Sequence, residues 1–159
     1  MTSQVRTALL SLILALTGML TVTAYADADG GCFPGTYIVK ESSGTQSLWT
    51  FSQYGTYQSA SSAEVARNFG HIQGAWKKTG VRELRATGLA FTFSSGNSDI
   101  GVPPLRTARV DTTMSFTNKC EEVEGTFEVR FFGPDDDPLS DPGEFVFSDT
   151  LNGRRVTVN

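Results

Sequence analysis

RTARVDTTMSFTNKCEEVEGTFEVRFF, residues 106–132, alternates with a period of two on both sides of a short polar turn. Val110, Thr112, Met114 and Phe116 fall on one face of the first half, opposite Arg109, Asp111, Thr113 and Ser115. In the second half Val123, Gly125, Phe127, Val129 and Phe131 oppose Glu122, Glu124, Thr126, Glu128 and Arg130. Such alternation predicts two antiparallel strands, each with one dry and one wet face.

The same rhythm extends outward. Strands are expected at 35–41, 45–52, 55–61, 71–78, 81–94, 106–117, 121–132 and 144–158. In the fifth, Leu84 and Ala86 are out of phase with Leu89, Phe91 and Phe93, and Gly88 at the break predicts a bulge. A helical stripe is confined to Ser61–Phe69, which is read as one short helix or a loop. With no βαβ spacing, the expectation is an all-β, eight-stranded antiparallel up-and-down β-barrel, whose closure removes exposed edges. A barrel of about eight strands is filled by side chains or holds one small ligand.

In such a meander alternate turns lie at opposite ends. Turns two, four and six are short (Gln53-Tyr54, Thr79-Gly80, Asn118-Lys119-Cys120), whereas three, five and seven span 62–70, 95–105 and 133–143. One closed end and one loop-lined mouth are therefore predicted, with binding expected at the mouth.

Residues 1–26 read as a cleaved signal peptide. Arg6 gives a positive start, Leu9–Val22 is mostly apolar, and Ala24-Tyr25-Ala26 offers small residues for cleavage. The apolar run is shorter than the roughly 20 residues a membrane-crossing helix needs. Residues 27–159 then form a single β-barrel domain, secreted or periplasmic. In that setting Cys32 and Cys120, both assigned to the closed end, are expected to pair. A redox role is disfavoured, because no CxxC spacing exists.

The chain carries 13 basic and 17 acidic residues, all but Arg6 after the leader. The excess of acid argues against nucleic acid and anionic membranes as partners. One His and two Cys without metal-ligand spacing argue against zinc. The acidic run from Asp135 to Glu144 lacks the spacing of a calcium loop and is read as solvated. No metal or cofactor is expected, and no feature sets an oligomeric state.

The candidate ligand-binding residues are the aromatics Tyr37, Trp49, Phe51, Tyr57, Trp76, Phe91, Phe93, Phe127 and Phe131, with Met114. Tyr37, Tyr57 and Trp76 are expected to offer polar tips that orient a ligand. His71, next to the third loop, and Tyr57 are the candidate catalytic groups. No nucleophile motif accompanies them. Arg109, Asp111, Glu128 and Arg130 are expected to pair on the outer face.

Four pieces carry a family resemblance: Gly35-Thr36-Tyr37, Thr50-Phe51 with Tyr54-Gly55-Thr56-Tyr57, Gly74 to Gly80 (GAWKKTG), and Gly125 to Val129 (GTFEV). They resemble pieces of lipocalin-like (calycin) barrels. They are also similar to allene oxide cyclase-like barrels, which include plant dirigent proteins and some bacterial natural-product cyclases. The resemblance implies a cavity for a small hydrophobic molecule, either carried or converted by a cofactor-free cyclase or isomerase.

Overall fold

The computed structural model describes residues 32–93, 106–117 and 119–158. The expected leader at 1–26 and nearly all of the fifth loop lie outside the described residues. Eight antiparallel strands form a closed barrel in which each pairs with its sequence neighbours. They are β1 (Gly35–Glu41), β2 (Gln46–Phe51), β3 (Thr56–Ser61), β4 (Ile72–Gly80), β5 (Glu83–Thr92), β6 (Arg106–Phe116), β7 (Glu122–Phe132) and β8 (Glu144–Arg155). Between β3 and β4 stands the short helix α1, Glu64–Arg67. β1 closes on β8 through pairs running from Tyr37↔Arg155 to Glu41↔Leu151.

Alternation sets which side chains enter. On β6, Ala108, Val110, Thr112, Met114 and Phe116 are buried, and on β7, Val123, Phe127 and Val129. Arg109 pairs with Asp111, and Arg130 with Glu128, on the outside. Each is a pair two residues apart on one strand rather than a cross-strand pair. Arg109 also donates to the Pro138 carbonyl at 2.8 Å. Its guanidinium lies 5.0 Å from the centre of the Phe132 ring, which is buried on the outer wall.

β5 corrects the expected phase. Leu84, Ala86, Gly88 and Ala90 all face inward without interruption. The β5–β6 register runs from Glu83↔Ser115 to Thr92↔Arg106 with no shift, so Gly88 carries no bulge. Phe91 and Phe93 consequently point outward, 57% and 47% exposed. The irregularities fall elsewhere, between Lys78 and Gly80 in the β4–β5 ladder and between Val129 and Arg130 in the β7–β8 ladder. In the second, Val129 pairs with Phe147 and Arg130 with Phe145, so Val146 is the extra residue. An extra residue reverses the facing of everything beyond it. Phe147 therefore turns to the core while Phe145 is exposed.

The closed half is solid. Cys32 and Cys120 are joined, with Cα atoms 4.8 Å apart. Phe33 packs edge-on against Phe116 at 4.5 Å between ring centres, and against Trp76 at 5.2 Å. Tyr37 and Phe51 complete this aromatic plug. Both polar tips are already satisfied: Tyr37 Oη donates to the Cys32 carbonyl at 2.8 Å and Trp76 Nε1 to the Ser52 carbonyl at 2.9 Å. A hydroxyl or indole N–H tied to backbone has no proton left to offer a ligand. No helix among the described residues is long and apolar enough to cross a membrane.

Candidate functional site

The open half of the barrel differs because its inward positions hold smaller residues. Ser47, Ser59, Ala90 and Ala108 stand where the closed half has Tyr37, Phe51, Leu84 and Phe116. Small side chains cannot fill an eight-stranded interior, and a cavity of about 120 Å³ results. Trp49, Val110, Phe127, Val129, Phe131 and Phe147 supply its apolar wall. Arg67 and Phe69, on and just after α1, form part of its rim. Two larger hollows, about 650 and 810 Å³, are open saddles on the outside of the sheet. They are lined largely by outward polar side chains such as Lys77, Arg85, Glu124 and Asn152 and enclose nothing.

The cavity brings together Trp49, Phe127 and Phe131 of the predicted ligand-binding set. Tyr57 lies just behind, its ring 5.4 Å from that of Trp49. Met114, Tyr37, Phe51 and Trp76 belong to the filled core, and Phe91 and Phe93 to the outer surface. His71 stands outside the cavity. Its imidazole Nε2 is 2.9 Å from Glu64 Oε2, and its side chain is 68% exposed. The other Glu64 oxygen accepts from the Ser61 backbone N–H at 2.7 Å, fastening α1 over the mouth.

Glu41 is the residue that the sequence reading missed. It is only 8% exposed and lines the cavity at its mouth. The signal was present, since Tyr37, Val39 and Glu41 share one phase of β1. Ser47 Oγ and Ser43 Oγ donate to its two oxygens at 3.3 and 3.4 Å. Burial pushes its pKa above the ordinary 4.5, and the serine hydrogen bonds and the charge of Arg67 only partly offset this. A carboxyl with a raised folded-state pKa binds more protons when folded than when unfolded. Its stabilising contribution is therefore complete below pH 4.5 and is lost as pH rises through the folded value. Glu41→Gln, which imitates the neutral acid, is expected to melt above the wild type at pH 7 and level with it at pH 4. Thermal melts across that range check this, and equal melting temperatures at both pH values would refute it.

Among the described residues, three buried side-chain polar atoms make no hydrogen bond within 3.5 Å: Trp49 Nε1, Tyr57 Oη and Thr112 Oγ1. Desolvation holds the Tyr57 hydroxyl firmly neutral, opposed only in part by Ser59 nearby and reinforced by Glu41. Unpaired buried donors are rare in folded proteins because each costs about 1–3 kcal/mol. The Tyr57 ring lies 5.4 Å from that of Trp49, and Thr112 is the ladder partner of Phe127, whose ring is 6.3 Å from Trp49.

The acidic loop holds its own backbone together. Asp136 accepts from the Gly133 N–H at 2.6 Å, Asp141 from the Asp137 N–H at 2.7 Å, and Asp137 from the Leu139 N–H at 2.9 Å and Ser140 Oγ at 2.7 Å. These bonds pull the Asp137 pKa below the ordinary carboxylate value. Among the described residues no group of three or more His, Cys, Asp or Glu is placed to hold a metal ion.

Comparison with protein-family models, curated proteins and solved structures finds no match to this chain. Fold and site define its class on their own: a closed up-and-down barrel with a filled, disulfide-bonded half and a hollow half whose wall is apolar and whose rim is polar.

Proposed function

We propose that this protein binds one small hydrophobic ligand inside the open half of its barrel, and that it does so outside the cytoplasm after removal of residues 1–26. The observation that carries this reading is the cavity of about 120 Å³, walled by Trp49, Phe127 and Phe131, above a half filled by a buried aromatic cluster. The Cys32–Cys120 bridge supports an oxidising compartment. The closed eight-stranded form is compatible with a lipocalin-like barrel.

Size narrows the ligand. Pockets for drug-sized molecules run to roughly 300–1,000 Å³, whereas a dry apolar cavity of about 150 Å³ takes up benzene. Ring-sized molecules fit the space; extended acyl chains do not. In thermal melts, compact aromatic and alicyclic molecules are expected to raise the melting temperature by several degrees at saturation, since a ligand at 100 times its Kd adds about 2.7 kcal/mol. Long-chain fatty acids are expected to leave it unchanged. A flat response across the whole panel would defeat the binding reading.

A second reading, a cofactor-free cyclase or isomerase acting on a polyketide, terpenoid or lipid, has Glu41 in its favour. A mostly buried carboxyl near a buried tyrosine, at the edge of a largely apolar cavity, is suited to moving a proton within a bound substrate. Turnover abolished by Glu41→Gln and Tyr57→Phe, but untouched by His71→Ala, would favour it over simple carriage.

A further inference from the structure

The geometry points to a ligand of defined chemistry: a compact ring carrying a protonated amine, with the ring among the aromatic side chains and the ammonium paired with the Glu41 carboxylate at the mouth. This rests on the binding reading and goes beyond it by naming what the cavity recognises. Glu41 lines the cavity and keeps 8% of its surface accessible. Its carboxyl lies on the inner side of the wall, because Ser47, which donates to it at 3.3 Å, is itself an inward residue and buried. Elsewhere in the barrel carboxylates meet cations directly, Asp111 with Arg109, Glu128 with Arg130 and Glu144 with Arg106. At Glu41 the hydrogen-bond partners are hydroxyls instead, that of Ser47 and that of Ser43 at 3.4 Å. A carboxylate taken out of water is costly unless a cation compensates it, and a cation inside the cavity supplies that compensation.

Charge around the mouth favours a cation over an anion. Arg67, on α1, lends its charge to Glu41, but its guanidinium lies 5.9 Å from the centre of the Phe147 ring. Asp149, on β8, adds negative charge at the same place, while burial holds Tyr57, on β3, neutral. The chain carries 17 acidic residues against 13 basic, an excess that draws cations toward it. An ammonium brings three donors and no acceptor. Thr45, Ser59 and Ser61 line the cavity beside Glu41 and Ser47, and hydroxyl oxygens have lone pairs to receive such donors. The ring then lies against Trp49, Phe127 and Phe131, and aromatic faces tolerate a nearby cation. A carboxylate ligand would instead meet Glu41 as a like charge.

Benzylamine and ethylbenzene test this, because they share one shape and differ in an ammonium replaced by a methyl group. Benzyl alcohol and benzoate complete the panel. Dissociation constants are measured by calorimetry at pH 7 on the wild type and on Glu41→Gln, which keeps the shape of the side chain and removes its charge. The wild type is expected to bind benzylamine about tenfold or more tighter than ethylbenzene or benzyl alcohol, and benzoate more weakly than all three. Glu41→Gln is expected to cut the preference for benzylamine over ethylbenzene about tenfold, the usual worth of one charge-assisted hydrogen bond. Ethylbenzene itself is expected to bind the variant as it binds the wild type, which reports an intact cavity. Should the variant fold poorly, the wild-type order decides alone: benzyl alcohol or benzoate bound as tightly as benzylamine would overturn the pairing. If the wild type binds none of the probes, the binding reading itself fails. If ethylbenzene binds and benzylamine gains nothing over it, or keeps its whole advantage in Glu41→Gln, only the amine pairing is overturned.

Discussion

Gly74→Ala is expected to lower the melting temperature by roughly 10 °C or more, and Gly88→Ala by less. These two glycines face each other across the β4–β5 ladder, and Gly74 also faces Tyr57 across β3–β4. A methyl group on Gly74 would come within 1.9 Å of the Thr87 carbonyl oxygen and 2.5 Å of the Gly88 Cα. Both obstacles are backbone, so no rotamer change relieves them. Only a residue without a side chain lets β4 approach β5 so closely here. A methyl on Gly88 would instead meet Ile72 Cγ2 at 2.3 Å and Tyr57 Cε1 at 2.9 Å. Side chains can move, at the cost of displacing the ring that backs the cavity.

Magnitudes set the ranking. Overpacking a core costs about 1–3 kcal/mol and occasionally more. Replacing a strand glycine by alanine returns only about 0.5–1 kcal/mol of backbone entropy. The collision therefore wins at both positions, with Gly74 at or above the upper end. For a domain of this size each kcal/mol shifts the melting temperature by roughly 2–8 °C. Gly70→Ala is the control, since its added methyl would lie 3.7 Å from the Phe93 ring, an ordinary contact. Melting curves of the three variants side by side decide the matter. A Gly74→Ala protein as stable as Gly70→Ala would mean that β4 and β5 do not pack this closely.

Those glycines also show where the sequence was silent. Strict alternation in β6 and β7 was enough to place those two strands and their facing, because one apolar set stands against one polar set. β5 offers two apolar sets of opposite phase, Leu84 with Ala86 and Leu89 with Phe91 and Phe93, which a bulge at Gly88 would reconcile. The barrel selects the smaller set because Tyr57 and Ile72 already occupy the space beside Gly88. Crowding from a neighbouring strand is a tertiary fact with no local signature. Likewise nothing local marks Val146 as the extra residue of β8. Glu41 was legible in phase but not in chemistry, since a carboxylate at an inward position reads as the end of a strand. The satisfied tips of Tyr37 and Trp76 and the unsatisfied tip of Trp49 depend on which carbonyls folding brings near. The parity of short and long turns, in contrast, points to the end where Glu41, Thr45, Ser61, Ala63 and Arg67 line the cavity, although turn one at that end is short.

Removing the Cys32–Cys120 bridge by the double change Cys32→Ser and Cys120→Ser is expected to produce the other large loss of stability, while leaving ligand affinity almost unchanged. The bond links residues separated by 88 positions in the chain. Closing so long a loop restricts the unfolded chain, and native disulfides of this kind contribute about 2–4 kcal/mol. The segment it anchors carries Phe33, 6% exposed and wedged between Trp76 and Phe116. Without the bond, that segment keeps the Tyr37 Oη bond to the Cys32 carbonyl and the Arg155 Nη2 bond to the Pro34 carbonyl at 2.7 Å, so the barrel should still close. Reductant is expected to lower the melting temperature of the wild type to that of the double variant and to leave the variant's own unchanged. The cavity lies in the opposite half, lined by none of these groups. Probe affinity well below the unfolding temperature should therefore change less than twofold. A stable variant with much weaker binding would mean that the closed end shapes the cavity after all, and that the two halves of the barrel are mechanically one.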